Sequence, residues 1–221
     1  YGVFSLMAFV SQKYGIAVLL PLMKVLIGVY LGCLVHAFLT LGGSVAFFTK
    51  LNPIKFFKGI IDALAIAYST ASSSGTLPVT IKCARKNLGV SDSISSFVLP
   101  LGATINMDGT AMYQGVAALF VAQAYGIELA FGHYITIILT STLASIGSAG
   151  VPGAGLIMLT LVLNSVGLPV EGIAIIAGID RILDMARTTV NVVGDCMVTL
   201  VVAKSEKELD ETVFNKGVVA V

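Results

Sequence analysis

Apolar runs of unequal length dominate the chain, and polar breaks separate them. Residues 1–12 are typical of the end of a spanning helix, and the run 16–48 is long enough to cross a bilayer with tilt, because about 20 residues suffice. The pieces 54–69 and 76–82 are too short to span alone, and a Ser/Gly turn joins them. This pattern predicts a re-entrant hairpin over 54–88, whose turn must lie within protein or a wet cavity.

The same order of elements recurs further along the chain. The long apolar segment 93–124 is interrupted at 106–110 by Asn-Met-Asp-Gly-Thr. Two short pieces with a Gly- and Pro-rich tip predict a second hairpin over 133–166, and a long last helix follows over 172–203. Each copy is a hairpin followed by a long helix that carries an Asn and then an Asp. Paired interrupted segments in corresponding halves are typical of a transporter binding region.

These elements predict an all-α polytopic membrane protein, an inverted repeat of a re-entrant helical hairpin plus a broken transmembrane helix. We expect residues 1–50 to hold the end of one transmembrane helix and a full spanning helix. Residues 51–203 would hold the two hairpins and the two long helices, the part that the resemblance described below makes a transport domain, and 204–221 would form a solvated cytoplasmic tail. Because the sequence opens on Tyr1 within an apolar run, we expect the chain to be one part of a longer protein.

Composition supports the membrane class. The chain is 57% hydrophobic and 11% charged, with a mean hydropathy of +0.96, so most of its surface must face lipid. A net charge of +1 argues against a nucleic-acid partner, which needs a clustered basic face. Three scattered cysteines in apolar runs fit packing better than disulfides or a metal site.

Loop charges predict the orientation. If each hairpin re-enters from the side it left, most basic residues fall on one side: Lys50, Lys55, Lys58, Lys82, Arg85, Lys86, Lys204 and Lys207. The loops near 125–133 and 164–172 hold no Lys or Arg, although Lys13 and Lys24 fall on their side. The positive-inside rule makes the first side cytoplasmic. We therefore expect a multi-pass protein of the cell (plasma or inner) membrane with a cytoplasmic C-terminus.

The last helix carries the most informative polar residues. At 100° per residue, a single stripe holds Asp180, Asp184, Arg187, Thr188, Asn191 and Asp195. Charges at the bilayer centre are costly and usually functional. Arg187 offers a fork of donors for a carboxylate, Asp184 can take an ammonium group, and Asn191 with Asp195 offers oxygens for a small cation. This set suits an acidic amino acid carried with a cation.

The break at 106–110 and the two hairpin tips supply complementary groups. Asn106 and Asp108 lie about 200° apart on an intact helix, so Gly109 and its polar neighbours predict an unwound segment whose carbonyls could coordinate Na⁺. The turn 72–75 places N–H groups and hydroxyls where a short helix begins, which suits a carboxylate. The opposed tip 145–155 is rich in glycine and could open and close.

Other interpretations of these residues stay open. Asp184 and Arg187 could form an ion pair that only fixes helix packing, and Gly109 could only kink its helix. A channel with re-entrant pore loops would need repeated rings of carbonyls, and an intramembrane hydrolase would need a base beside Ser73 or two coupled aspartates. We expect His36 and His133 to be packing or interface residues.

Four motifs carry a resemblance to a known family. Segments 72–79 (SSSGTLPV), 99–110 (LPLGATINMDGT), 144–155 (ASIGSAGVPGAG) and 183–195 (LDMARTTVNVVGD) closely resemble the glutamate transporter family, the dicarboxylate/amino acid:cation symporters. The likeness covers nearly the whole chain, which is similar to the family's C-terminal half, from within the fifth transmembrane helix onward. It implies two hairpin gates, elevator-type movement of a transport domain, and a homotrimer formed through scaffold helices mostly absent from this chain.

The resemblance also implies roles for individual residues. The implied substrate contacts are Ser73, Thr110, Val151, Gly155, Asp184, Arg187, Thr188 and Asn191. One Na⁺ site would use Gly102, Asn106, Asn191 and Asp195; a second would use carbonyls of Thr104, Ser145, Ile146 and Ser148; a third would use Asn106 and Asp108 with an earlier helix that the chain lacks. No organic cofactor is expected, and the chain is not expected to be an enzyme.

The implied function is Na⁺-coupled symport of aspartate or glutamate by an elevator-type alternating-access mechanism. A proton-coupled or C4-dicarboxylate symporter of the same family is the alternative. Two positions depart from the family pattern, because Ala71 and Met185 stand where relatives carry an arginine. We expect Arg181, three residues before Asp184, to take over the ion-pairing role of that arginine. We do not expect the chain to transport without the earlier scaffold helices.

Overall fold

The computed structural model describes Gln12 and residues 19–216, so the expected helix end at 1–12 lies almost wholly outside the described part. Within that part all regular secondary structure is helical, which confirms the predicted all-α class. Two of the described helices, Pro21–Thr49 and Asp180–Ser205, are long and apolar enough to cross a membrane.

The first long helix occupies the predicted span. It begins as α1 (Leu19–Val35) and continues without a break through π-helical turns at His36–Leu41 and Val45–Thr49, with a short α-helical turn between them. Its 29-residue apolar stretch reaches about 43 Å, more than the bilayer core needs, so it would cross with tilt. The helix ends where Lys50 adopts a left-handed conformation.

The predicted first hairpin contains three helices. They are α2 (Pro53–Gly59), α3 (Ile61–Thr70) and α4 (Ser73–Lys86). Helix α3 stops at Ala71, whose φ of 52° cannot continue a right-handed helix. Ser72 then caps α4, because its hydroxyl accepts a hydrogen bond from the Gly75 amide at 3.0 Å. The Ser/Gly turn thus ends one helix and starts the next.

Two helices separated by an unwound segment follow. Helix α5 (Asp92–Ile105) ends at Asn106, where φ is −102° and ψ is 81°, and α6 (Asp108–Ala124) begins two residues later. The break coincides with the polar run in the sequence. It leaves Asn106 and Met107 with non-helical backbone between two helix ends.

The predicted second hairpin consists of α7 (Phe131–Ile146) and α8 (Ala154–Ser165), joined by the tip 147–153. His133, expected to be a packing or interface residue, caps the start of α7, because its Nδ1 accepts a hydrogen bond from the Ala130 amide at 3.0 Å. The re-entrant placement of both hairpins relative to a membrane stays a prediction.

The predicted last helix is not continuous over 172–203. A 3₁₀ turn (Val170–Gly172) and the short α9 (Ile173–Ala177) precede a break at Gly178 and Ile179, and α10 (Asp180–Ser205) begins after it. Gly178 is a poor helix former, and the new start places the Asp180 carboxylate at the positive end of the α10 dipole. Helix α10 lies at the centre of the fold, packed against α1, α3, α4, α5 and α6.

Most described residues of the tail are exposed to solvent, but the tail also folds back onto the helices. After α10 the chain pairs with the α4–α5 loop: the Ser91 amide donates to Glu208 O at 3.1 Å, and the Asp210 amide donates to Gly89 O at 2.8 Å. A short helix, α11 (Glu211–Lys216), then buries Phe214 in the core. The charged residues of the tail stay exposed while this one aromatic side chain is buried.

Candidate functional site

The polar stripe of α10 lies inside the protein. All six of its polar residues are buried, and the Arg187 side chain is only 1% exposed. A buried guanidinium is costly unless it is paired and hydrogen-bonded. The partners of these side chains therefore define the candidate site.

Arg187 is held between two aspartates and an aromatic ring. Its Nε donates to Asp184 Oδ1 at 2.8 Å and its Nη1 donates to Asp180 Oδ1 at 2.9 Å. Its Cζ lies 4.3 Å from the centre of the Tyr113 ring, a cation–π distance. The ion pair left open at the sequence level is thus present. Asp180 lies on the stripe predicted from the sequence but was not among the predicted site residues. No pattern in the sequence indicated that Tyr113 would contact Arg187.

Asp184 connects the stripe to the tip of the second hairpin. Its Oδ1 also accepts from the Thr188 hydroxyl at 3.2 Å, and its Oδ2 accepts from the Gly153 amide at 2.8 Å. The carboxylate therefore bridges α10 and the residues at the start of α8. A movement of this tip must break a hydrogen bond to a charged group.

The two hairpin tips meet above the stripe. The Gly150 carbonyl accepts from the Ser74 amide at 3.1 Å and from the Ser72 hydroxyl at 2.8 Å. The tips, the start of α6 and the stripe line a small cavity of about 10 Å³. Its lining includes all eight predicted substrate contacts: Ser73, Thr110, Val151, Gly155, Asp184, Arg187, Thr188 and Asn191.

Asn191 joins the stripe to the unwound segment. Its Oδ1 accepts from the Gly109 amide at 2.8 Å, and its Nδ2 donates to the Thr110 hydroxyl at 3.2 Å and approaches Met107 Sδ at 3.1 Å. These bonds hold the first turn of α6 against α10. Thr110, a predicted substrate contact, is thereby fixed by another predicted contact.

Asp195 lies one turn further along α10 than Asn191, near the unwound segment. Among the described residues, no Lys, Arg or His lies within ion-pair distance of its carboxylate, which is only 3% exposed. Its Oδ1 accepts from Asn106 Nδ2 at 2.9 Å, and a Cβ added to Gly102 would lie 2.6 Å from the same oxygen. A buried carboxylate without a basic side chain nearby suits a small cation.

Asp108 has a partner that the sequence did not predict. Its Oδ2 lies 2.7 Å from Nε2 of His36 on the first long helix. His36 thus lies at an interface between helices, as expected, and it contacts a carboxylate there. The pairing spans 72 residues, so local pattern could not reveal it. The available signal was an ionisable residue within an apolar span, which calls for a partner.

Comparison with known proteins identifies the class. The model of the sodium:dicarboxylate symporter family matches residues 1–205. The chain belongs to the sodium:dicarboxylate symporter family. Its members are transporters, which agrees with the expectation that the chain is not an enzyme.

Curated relatives carry the same family identity. The chain is 51% identical over 166 residues, 75% of its length, to an excitatory amino acid transporter of Caenorhabditis elegans. It is 47% identical over 186 residues, 84% of its length, to human excitatory amino acid transporter 2, and 51% identical over 172 residues, 78% of its length, to human excitatory amino acid transporter 5. The matches cover 33%, 32% and 31% of these relatives, so the chain spans about a third of their length.

Among the described residues, Arg181 forms no ion pair, although one was expected from the family pattern. Its guanidinium donates to the carbonyls of Ser69 at 2.9 Å and Thr70 at 3.2 Å. These carbonyls belong to the last turn of α3, where they lack helical partners and carry the negative end of the dipole. Arg181 therefore stabilises the end of a hairpin helix beside the tip rather than pairing with Asp184.

The predicted carbonyl site lies where α5, α7 and the second tip converge. A Cβ added to Gly150 would lie 2.7 Å from the Ala103 carbonyl, next to Thr104. The carbonyl of Ser145 accepts from the Ser148 amide at 3.0 Å, which shapes the end of α7. Use of Thr104, Ser145, Ile146 and Ser148 as cation ligands stays a prediction.

Proposed function

We propose that the full protein is a secondary active symporter that carries an acidic amino acid, aspartate or glutamate, together with Na⁺. One observation carries the proposal: Arg187 is a buried guanidinium that lines a cavity closed by two hairpin tips, with a carboxylate beside it. A solute with carboxylates and an amino group matches that pair of charges.

Arg187 and Asp184 would bind opposite ends of the solute. A side-chain carboxylate entering the cavity would exchange with Asp180 for the Nη donors of Arg187. Asp184 Oδ1 already accepts two hydrogen bonds, whereas Oδ2 accepts only one and retains a lone pair for the solute's ammonium group. The first-tip residue Ser73 and the second-tip residues Val151 and Gly155 would complete the contacts.

The size of the cavity supports gating by the tips. A volume of about 10 Å³ holds at most one water molecule, so an amino acid requires the tips to separate. The hydrogen bonds from Ser72 and Ser74 to Gly150 and from Gly153 to Asp184 are the contacts that must open. We propose that this gating accompanies elevator-type movement within a homotrimer in the cell membrane, with the C-terminus cytoplasmic.

Coupling to Na⁺ would pass through Asn106. Its Nδ2 contacts both Asp195 Oδ1 at 2.9 Å and the Asn191 carbonyl at 3.4 Å. Na⁺ held by Gly102, Asn106, Asn191 and Asp195 would fix the same Asn191 that orients Thr110. Asp108 with Asn106, and the carbonyls at the second tip, are the further proposed Na⁺ sites.

Three alternative functions make different predictions about the site or about uptake. A C4-dicarboxylate would bring a second carboxylate toward this aspartate, which like-charge repulsion disfavours. A proton-coupled symporter would accumulate the solute without Na⁺. A channel would conduct without accumulation, and it would not need paired opposite charges at a closed cavity.

The deciding experiment uses the full-length protein in proteoliposomes. We expect saturable uptake of labelled aspartate that stops when choline replaces Na⁺ and that excess glutamate inhibits more strongly than excess succinate. Uptake driven by a pH gradient without Na⁺ would support proton coupling. Succinate as the preferred substrate, or current without accumulation, would overturn the proposal.

A further inference from the structure

His36 occupies an unusual place in the first long helix. Between Lys24 and Lys50 it is the one side chain that can carry a full positive charge, in a stretch of high hydropathy. It is also the first residue of a π-helical segment, His36–Leu41. π-Turns change the direction of a side chain relative to the rest of the helix and are frequent at functional sites. A polar residue in this position calls for an explanation beyond packing.

The contact of His36 with Asp108 fixes a carboxylate at both of its oxygens. Nε2 of His36 lies 2.7 Å from Oδ2, and the Gly109 amide donates to Oδ1 at 3.0 Å. With Asp108 ionised, Nε2 must be the hydrogen-bond donor, because a carboxylate only accepts. Each oxygen keeps a further lone pair. The carboxylate is thus oriented but still able to bind a cation.

We propose that His36 is a positioning residue that sets the affinity of the Asp108 cation site. The inference rests on the proposed Na⁺ symport. It implies that the first long helix contributes to the cation site through His36. Asp108 is the first residue after the unwound segment, where the backbone alone would hold it loosely. Outer partners that orient a metal-binding carboxylate typically change cation affinity 10- to 100-fold when they are removed.

The test compares three replacements of His36 in the full-length protein. His36→Leu removes the donor, His36→Gln places an amide NH₂ near the Nε2 position, and His36→Asn places it closer to the backbone. Na⁺ binding without substrate is measured by titration calorimetry. We expect His36→Leu and His36→Asn to weaken Na⁺ binding roughly 10- to 100-fold, and His36→Gln to retain most of it. Aspartate affinity at saturating Na⁺ should change little in all three.

Tyr30→Phe is the matched control for a purely structural role. The Tyr30 hydroxyl lies on the same helix and donates to the Ile182 carbonyl at 3.0 Å, away from Asp108. Its loss should lower thermal stability without changing Na⁺ affinity. The inference is overturned if wild-type protein binds Na⁺ and His36→Leu binds it equally well, or if His36→Gln is as weak as His36→Leu. Wild-type protein that binds no Na⁺ would instead overturn the proposed function itself.

Discussion

The central residue of the molecule is a buried arginine with two acidic neighbours. Arg187 forms ion pairs with Asp180 and Asp184 at hydrogen-bonding distances. Its positive charge is therefore balanced by one more carboxylate than it needs. A site of this kind can exchange an internal carboxylate for one on a solute while the guanidinium stays paired.

The first prediction separates the roles of Arg187 in folding and in binding. Arg187→Ala leaves two buried carboxylates unpaired and should destabilise the protein by about 3–5 kcal/mol. Adding Asp180→Asn removes one of these charges and should recover part of the lost stability, without recovering aspartate binding. Thermal unfolding and labelled-aspartate binding measure the two effects. Recovery of aspartate affinity in the double variant would contradict the assignment of Arg187 as the carboxylate ligand.

At the residue scale, the sequence allowed us to predict which side chains share one face of a helix. It did not allow us to predict contacts between side chains on distant helices. The 3.6-residue period placed Asp184, Arg187 and Asn191 on one stripe, and the cavity lining agrees. The contact between His36 and Asp108 depends on how two distant helices pack. The same holds for Arg181, whose partners are carbonyls exposed only because α3 ends at Ala71.

Contact between the two hairpin tips depends on a glycine. A Cβ on Gly150 would lie 2.6 Å from Ser74 Oγ and 3.1 Å from the Ser74 amide nitrogen. Gly150→Ala should therefore push the tips apart and break both hydrogen bonds to its carbonyl, each contributing about 0.5–1.5 kcal/mol. We expect faster amide exchange at residues 72–75 and 147–153, measured by hydrogen exchange with mass spectrometry.

Gly132→Ala, in α7 of the same hairpin, is the matched control for the Gly150 variant. A Cβ there would meet nothing within 4 Å, so exchange at the tips should stay at the wild-type rate. Equal exchange in both variants would show that the tips do not depend on the close approach at Gly150.

A second prediction at the level of elements concerns the contact between the tail and the α4–α5 loop. Gly89 has a φ of +75°, and a Cβ there would overlap the Asp210 carbonyl. Gly89→Ala should release residues 208–216 from the α4–α5 loop and raise their amide exchange. Gly126→Ala is the control, because its φ is +66° but its surroundings are open. The control carries only the backbone strain, about 1–3 kcal/mol, and should leave the tail docked.

Element boundaries were predictable where local chemistry decides them. The Ser/Gly turn and the polar run at 106–110 marked helix ends that the structure places at Ala71 and Asn106. The break before Asp180 was missed, since Gly178 alone is a weak signal within an apolar run. Docking of the tail was missed because it depends on a cavity for Phe214 that other elements create.

At the scale of the molecule, the described residues leave a broad apolar surface uncovered. The first long helix exposes Ile27, Leu31, Leu34, Phe38 and Phe47. An apolar surface of this kind is typical of contact with lipid or with further protein. The chain spans about a third of its relatives' length, so the transport and assembly proposed above are tested on a full-length protein.

The last prediction concerns coupling between the two ends of α10. Asp195 and Arg187 lie eight residues apart, about 12 Å along the helix, with Asn191 between them. If Na⁺ at Asp195 stabilises the Asn191 arrangement that binds substrate, then substrate must strengthen Na⁺ binding by the same factor. Asp195→Asn removes the charge, while its amide oxygen can still accept from Asn106. The slope of log aspartate affinity against log Na⁺ concentration should therefore fall by about one. A slope unchanged from wild type would place the coupling ion elsewhere, even if uptake remained Na⁺-dependent.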